Sequence, residues 1–284
     1  MSLAAGKRPT EERRTLAPFG RRRVPVLERR TYGPYVVLRG HDADGPPPRP
    51  GQFYMLAAAE RWGGGGGERP FLPRALSVLR AGERAAEGEG GELHFMLEDV
   101  GPGTRRLCEL TCGDELWVAG PFGVGFGAPS PGTRALLVGG GVGIAPLAGW
   151  QDELGPSTTT LLGFRDAVHA RGAAVLGEAH IATDDGSVGH RGRVTELLAE
   201  ELDADPGATV YACGPPGMLE AVRALCAERG VGAQLALESG MACGYGACFG
   251  CVVRTRAGYV RLCVEGPVLD AAELETALIP GAGH

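Results

Sequence analysis

Four cysteines in the last quarter of the chain share one spacing, Cys243-x4-Cys248-x2-Cys251-x11-Cys263. A C-x4-C-x2-C run followed by a more distant cysteine is the spacing of the thiolates that hold a plant-type [2Fe-2S] cluster. Glycines between the first three cysteines allow a tight loop whose backbone amides point at sulfur. The sequence therefore predicts a [2Fe-2S] ligand set and, with it, a part in electron transfer.

Two other interpretations of these cysteines stay open at this level. A structural zinc site usually shows two short C-x2-4-C pairs, whereas here three cysteines lie within nine positions and the fourth stands alone. Unligated thiols are the second alternative. The other cysteines lack such spacing and are expected to be small buried hydrophobic residues: Cys108, Cys112, Cys213 and Cys226.

The composition argues against polyanionic partners. The 284 residues carry a net charge of −6, which gives no general attraction to nucleic acid or acidic membranes. Residues 1–14 lack the apolar core of a secretory signal, and the longest apolar stretch, residues 135–150, is rich in glycine and interrupted by Pro146. We therefore expect a cytoplasmic protein whose cysteines are metal ligands or free thiols.

Short apolar or alternating runs separated by turn residues predict an antiparallel β-barrel over residues 23–130. The predicted strands lie at residues 36–38, 52–57, 75–79, 93–97 and 115–119. Three prolines at 46–48 and five glycines at 63–67 are expected to form surface loops between strands. Residues 1–22 are basic and without periodicity, which predicts a flexible leader.

The pattern changes after residue 130. Residues 135–138, 159–162 and 208–212 predict buried strands, with helices predicted at 194–202 and 217–228. This alternation is typical of βαβ units around a parallel sheet, so residues 131–236 are predicted to be an α/β nucleotide-binding domain. Residues 237–267 are predicted to form a small cluster module, and residues 268–284 are predicted to form a tail.

Two patterns in the predicted barrel suit a flavin. In Arg74-Ala75-Leu76-Ser77 the guanidinium fork can pair with a pyrophosphate, and the serine hydroxyl can reach a flavin ring nitrogen. Downstream, Gly101-Pro102-Gly103-Thr104 precedes a helix-like run whose first amides can bind an anion. A solvent-facing strand and an ordinary glycine turn explain the same residues equally well.

Two further patterns suit a dinucleotide. Gly139-Gly140-Gly141-Val142-Gly143 follows a predicted strand, where glycines let a pyrophosphate approach the backbone at a helix N-terminus. A plain tight turn is the competing interpretation. Cys213-Gly214-Pro215 also closes a strand and opens a helix, at the same edge of the predicted sheet, where it can contact a nicotinamide.

The order of these motifs resembles the ferredoxin-reductase superfamily, and within it the electron-transfer subunits of NAD-dependent, two-subunit dihydroorotate dehydrogenases. The resemblance rests also on residues 120–126, 162–165, 183–187 and 238–251 and covers about residues 24–267. It implies that FAD is held by Arg74, Ala75, Leu76, Ser77, Met96, Leu97, Glu98, Gly103 and Thr104. It implies that NAD(H) binds near Gly139, Gly140, Gly141, Gly143, Cys213, Gly214 and Pro215.

By the same resemblance, the partner is an FMN-containing catalytic subunit that oxidises dihydroorotate, in a heterotetramer. The cluster relays electrons one at a time, while FAD exchanges hydride with the nicotinamide. No catalytic acid or base is nominated, and the histidines are expected to have surface or locally satisfied roles. Asp166 favours a ribose hydroxyl, and thus NAD, whereas the neighbouring Arg165 favours a 2'-phosphate.

Two rival functions remain open on the sequence alone. One is a reductase subunit of another complex, such as a hydrogenase or a ferredoxin:NADP oxidoreductase. The other is a non-catalytic, metal-stabilised redox sensor.

Overall fold

The computed structural model describes residues 13–17, 19–63, 70–82 and 91–279. Residues 1–12 and 18 of the predicted leader, and residues 64–67 of the predicted glycine loop, lie outside these ranges. The three prolines at 46–48 lie in an irregular connection between two strands, as the sequence predicts.

The first unit is a closed antiparallel barrel with the strand order β1-β2-β5-β4-β3-β6. Its strands are β1 (Arg22–Tyr32), β2 (Tyr35–Asp42), β3 (Phe53–Ala58), β4 (Arg74–Ala81), β5 (Gly91–Glu98) and β6 (Glu115–Phe122). Side chains such as Leu38, Tyr54 and Phe95 fill its interior. The predicted barrel is confirmed. Strand β1 was missing from the prediction because Val24 and Val26 are its only buried residues.

The second unit is a sheet with the strand order β10-β9-β8-β7-β11-β12-β15. The strands are β7 (Arg134–Gly140), β8 (Thr159–Phe164), β9 (His180–Thr183), β10 (His190–Arg191), β11 (Ala208–Cys213), β12 (Gly232–Ala236) and β15 (Val268–Asp270). All neighbours pair in parallel except β12 and β15. The predicted α/β nucleotide-binding fold is confirmed.

Helices cover both faces of the sheet. They are α2 (Ala145–Leu154), α3 (Ala167–Ala170), α4 (Val194–Ala204) and α5 (Pro216–Arg229), whereas α1 (Pro102–Cys108) lies beside the barrel. On one face α4 and α5 bury Leu198 and Val222 against the sheet. On the other face α2 buries Leu147, in a core that also holds Tyr35 and Met96 of the barrel. The two units therefore share hydrophobic packing.

The cluster module contains a short hairpin, β13 (Val252–Thr255) and β14 (Gly258–Arg261). It packs into the same core as Phe53 and Met55 of strand β3, so it contacts the barrel as well as the sheet. Among the described residues, none of the helices is long and apolar enough to span a bilayer.

The C-terminal residues differ from the predicted tail. Strand β15 pairs antiparallel with β12, with Leu235 opposite Leu269, and extends the sheet past the boundary at residue 267. Further on, the backbone N–H of Ala277 donates to Glu220 of α5 at 2.6 Å. The sequence did not reveal this strand because its three residues carry no periodic signal of their own.

The described part of the predicted leader is also docked. Arg13 donates from Nε to the carbonyl of Gly125 at 2.9 Å and from Nη2 to Gln234 of β12 at 3.1 Å. The amide of Gln52, next to β3, donates to the carbonyl of Thr15 at 3.1 Å. Residues 13–15 therefore contact both the barrel and the sheet.

Candidate functional site: a two-domain cleft beside a cysteine loop

A cleft of about 920 Å³ lies between the barrel and the carboxyl edge of the sheet. Strands β4 and β5 line one side, and the loops that follow β7, β8 and β11 line the other. The segment 237–241, which follows β12, completes the wall. Ligands of open α/β sheets bind at the carboxyl ends of the strands, so the cleft lies where such a fold places its ligand.

The residues predicted to hold FAD gather on the barrel side of the cleft. Its lining includes Arg74, Ala75, Leu76, Ser77, Met96, Leu97, Glu98 and Thr104. Gly103 is not in the lining, but a Cβ at this position would lie 2.3 Å from Nε of Arg74. Glycine at 103 therefore leaves room for the guanidinium.

Arg74 is held at the cleft by its neighbours. Its Nη1 donates to the carbonyl of Leu72 at 2.6 Å, and its guanidinium carbon lies 5.8 Å from the ring centroid of Trp62. Burial lowers the pKa of Arg74 from its usual value. The group stays charged, so its partial desolvation favours an anion as partner.

Thr104 has a local role. Its hydroxyl accepts from the backbone N–H groups of Val100 and Gly101, both at 3.0 Å, and donates to the carbonyl of Gly101 at 3.1 Å. These bonds fix the turn that opens α1, so Thr104 shapes the cleft wall while its hydroxyl is already engaged.

The glycine loops predicted for NAD(H) meet at the other side of the cleft. Gly140, Gly141, Gly143, Cys213, Gly214 and Pro215 are in the lining. Gly139 is not: a Cβ there would lie 2.9 to 3.1 Å from the side chains of Ile144, Leu162 and Leu147. Gly139 thus serves packing behind the loop. The two loops are adjacent because β7 and β11 pair in register, with Gly139 opposite Cys213.

The four cysteines of the predicted cluster form two pairs. The Sγ atoms of Cys251 and Cys263 lie 3.2 Å apart, and both residues are 2% exposed. The thiols of Cys243 and Cys248 also interact. Cys248 is exposed, while Cys243 is half-buried.

Backbone amides converge on these sulfur atoms. Gly250 N–H points at Cys248 Sγ and Cys263 N–H at Cys251 Sγ, each at 3.4 Å. Burial raises the pKa of Cys243, but backbone amides led by that of Cys248 outweigh it and lower the pKa to about 7. Burial and the neighbouring thiol of Cys251 raise the pKa of Cys263 to about 12. Amides aimed at sulfur stabilise thiolates, the form that binds iron.

The four cysteines supply the donor set of a dinuclear cluster. A [2Fe-2S] cluster takes two thiolates on each of two irons. The donor set, all cysteine with amides directed at sulfur, therefore fits the cluster.

The loop around these cysteines depends on left-handed backbone. Gly244 and Gly246 have φ of 82° and 89°. A Cβ on Gly244 would lie 2.4 Å from Cγ of Met55 on strand β3. Glycine there lets the loop lie directly on the barrel.

Comparisons with known proteins agree with this geometry. Residues 238–275 match the model of the iron-sulfur cluster binding domain of dihydroorotate dehydrogenase B, and residues 173–224 match the oxidoreductase NAD-binding domain. The dihydroorotate dehydrogenase B (NAD(+)) electron transfer subunit of Geobacillus thermodenitrificans is 36% identical over 270 residues, covering 90% of this chain and 99% of the relative. That of Clostridium perfringens is 34% identical, covering 79% and 86%.

The chain belongs to the family of dihydroorotate dehydrogenase B electron transfer subunits.

Members of this family are oxidoreductase subunits, and the present one has an NAD-binding domain and an iron-sulfur domain. Solved structures support the fold. An NADH-dependent reduced ferredoxin-NADP oxidoreductase aligns with a TM-score of 0.72 at 24% identity, covering 89% of this chain and 90% of that one. The ferredoxin reductase of carbazole 1,9a-dioxygenase aligns with a TM-score of 0.59 at 22% identity, covering 75% and 66%.

In this family member the cleft also brings Glu98 and Arg165 together with two residues to which the sequence assigned no site role, His169 and Tyr35. His169 Nε2 lies 3.7 Å and Arg165 Nη2 lies 3.4 Å from Oε1 of Glu98. The ring of Tyr35 meets that of His169 edge-on at 6.0 Å. Glu98 and Tyr35 come from the barrel and the other two from the sheet, so this contact depends on how the two units meet.

Asp166 has a different role from the one expected. Its carboxylate accepts from the backbone N–H groups of Val168 and His169 and from the ring of His169 at 2.7 Å. The hydrogen bond from the His169 side chain is the main cause that lowers the pKa of Asp166. Asp166 therefore caps α3 and is absent from the cleft lining, whereas Arg165 and Asp184 are present.

Proposed function

We propose that this chain carries electrons between a dihydroorotate-oxidising subunit and NAD+ in pyrimidine biosynthesis. The path runs from the FMN of the catalytic partner through the [2Fe-2S] cluster and FAD to NAD+. The observation that carries the proposal is the segment 237–241, which lines the cleft and leads directly into Cys243. One wall is therefore common to the cleft and the cluster loop. The family membership supports the same path.

FAD fits the barrel side of the cleft, in the unit of residues 23–130. The desolvated guanidinium of Arg74 pairs with the pyrophosphate, and the hydroxyl of Ser77 reaches the ring. When bound, FAD exchanges two electrons with a nicotinamide and single electrons with an iron-sulfur cluster. Met96, Leu97 and Glu98 on the neighbouring strand shape the pocket.

NAD(H) fits the sheet side, in the unit of residues 131–236. Gly140, Gly141 and Gly143 let the dinucleotide approach the end of β7, and Cys213, Gly214 and Pro215 face the nicotinamide. Hydride transfer between two rings depends on their placement, so these residues act by position and not as acids or bases.

The cluster fits the module of residues 237–267. Cys243, Cys248, Cys251 and Cys263 would hold it through their thiolates. The amides that converge on the sulfur atoms raise the reduction potential, because they stabilise the more negative reduced state.

Electrons from the partner enter on the side of Cys248. Around this exposed cysteine lies an aromatic rim of Phe19, Tyr245 and Phe249, which are 90%, 49% and 63% exposed. Phe19 and Tyr245 meet edge-on with ring centroids 5.5 Å apart. Exposed aromatic side chains are typical anchors of protein interfaces. The rim thus suits the FMN-bearing subunit, in a cytoplasmic heterotetramer.

Purification tests the proposal. The protein should contain FAD and two irons per chain, should bleach with NADH, and should co-purify with the dihydroorotate dehydrogenase catalytic subunit of the same organism. A colourless, zinc-loaded protein would support the redox-sensor alternative. A coloured protein that binds no such subunit, and instead reduces a ferredoxin or joins a hydrogenase, would support the other rival.

A further inference from the structure

One polar group in the cleft wall lacks a hydrogen-bond partner among the residues that the structure describes. The hydroxyl of Ser239 is buried, and no described donor or acceptor forms a hydrogen bond with it. Ser239 lies in the segment 237–241 and lines the cleft. Burying a hydroxyl without a hydrogen bond costs free energy, so a partner from a bound ligand is expected.

The position of the segment favours the flavin as that ligand. The backbone N–H of Leu237 donates to the carbonyl of Pro267 at 2.9 Å, and a Cβ on Gly123 would lie 2.7 Å from Cδ of Pro267 and 3.2 Å from the ring of Phe53. The segment therefore lies beside the barrel strand that carries Phe53, which pairs with Ser77. It also runs directly into the cluster loop. Of the two rings in the cleft, the flavin must exchange electrons with the cluster, so the flavin lies nearest this wall.

We infer that the Ser239 hydroxyl forms a hydrogen bond with the polar edge of the flavin ring and so positions it between the nicotinamide and the cluster. The inference rests on the proposed function, because it takes FAD as the occupant of the barrel side. Ser239 acts on the ring by position and takes no proton in the reaction. Nothing in the cysteine spacing or in the Arg74-x-x-Ser77 pattern points to this residue.

Two measurements distinguish this ligand-binding role of Ser239 from a purely structural one: the thermal midpoint of the flavin-free protein and the affinity for FAD. In the flavin-free protein the hydroxyl is an unpaired buried group, so Ser239→Ala should leave the thermal midpoint unchanged or raise it. In the loaded protein the same change removes a ligand contact. Ser239→Ala should therefore weaken FAD binding about three- to tenfold, the range of one neutral hydrogen bond.

The experiment compares wild type, Ser239→Ala and Ser239→Thr in the full chain, with Ser130→Ala at an exposed position as the matched control. FAD is removed, its rebinding is followed by fluorescence, and the absorption of the bound oxidised flavin is recorded without NAD(H). Weaker binding and a shifted absorption band for Ser239→Ala, with both restored in Ser239→Thr, are the expected result.

Three results would overturn the inference: unchanged FAD affinity and spectrum in Ser239→Ala, a change confined to the KM for NADH, or a lowered midpoint of the flavin-free variant. If the wild type binds no FAD at all, the proposed function fails instead, and the two failures are distinct.

Discussion

Gly143 and Gly214 belong to different loops, yet a Cβ on Gly143 would lie 2.6 Å from the Cα of Gly214. The contact brings the ends of β7 and β11 together at the cleft. The atoms nearest to that Cβ are backbone atoms, which cannot move aside as a flexible side chain could. Only glycine therefore fits at position 143 without displacing the neighbouring loop.

Gly143→Ala should therefore push the two loops apart and weaken NAD(H) binding. Overpacking of this kind costs about 1–3 kcal/mol, which corresponds to a rise in the KM for NADH of about 5- to 150-fold. Steady-state reduction of an artificial acceptor measures the KM, with FAD content as a check on folding. Gly232→Ala, where an added Cβ meets nothing within 4 Å, is the control. An unchanged KM in Gly143→Ala would show that the loops do not hold the dinucleotide.

The aromatic rim should be needed for assembly and not for flavin reduction. Phe249 has φ of 57°, a conformation that bulky residues rarely adopt, and Arg261 lies over its ring at 5.4 Å. Its ring is thus held in an exposed position. We expect Phe249→Ala to weaken the complex by about 1–2 kcal/mol, as removal of an interface anchor does.

Calorimetric titration with the catalytic subunit measures this effect. Phe71→Ala removes an aromatic ring of similar exposure, 76%, from the barrel and should bind like the wild type. Equal affinity of the Phe249→Ala variant and the wild type would place the docking surface elsewhere.

The stability of the C-terminal segment should depend on pH through the carboxylate of Glu220. The hydrogen bond from Arg223 is the largest cause that lowers the pKa of Glu220 from 4.5 to about 2, with further bonds from Ala277 N–H and the Thr276 hydroxyl. Since the folded-state pKa is lowered, the stabilisation is complete above pH 4.5 and is lost as the pH falls toward 2.

Glu220→Gln should accordingly lower the free energy of unfolding by about 1–2 kcal/mol at pH 7, and the difference from wild type should shrink near pH 3. Urea unfolding at pH 7 and near pH 3 measures this difference in the free energy of unfolding. Glu228→Gln changes a 77% exposed side chain of the same helix and should have little effect. A constant difference at both pH values would exclude the carboxylate as its source.

Signals that lie within one short stretch of sequence predicted the fold well. The cysteine spacing indicated the cluster module, and apolar runs indicated the barrel strands β2 to β6 and the sheet strands β7, β8 and β11. The glycine and Arg74-x-x-Ser77 patterns pointed to residues that the structure gathers into one cleft.

Features that depend on distant partners could not be predicted in this way. Strand β15 pairs with the open edge that β12 offers, and residues 13–15 form hydrogen bonds with Gln52, Gly125 and Gln234. Asp166 was expected at a ribose because an acid follows the second strand of the sheet. Its carboxylate instead caps the short helix α3 that follows it. The role of Ser239 could be inferred only from the structure, in which its hydroxyl has no hydrogen-bond partner among the described residues.

In the proposed path, electrons pass from the catalytic partner to the flavin through the cluster, and Cys248→Ser in the purified two-subunit complex tests this path most directly. Two rates are measured: bleaching of the FAD by NADH and dihydroorotate-dependent formation of NADH. We expect bleaching close to the wild-type rate while dihydroorotate-dependent NADH formation is almost abolished. Equal loss of both rates at unchanged FAD content, or full retention of both, would contradict the account.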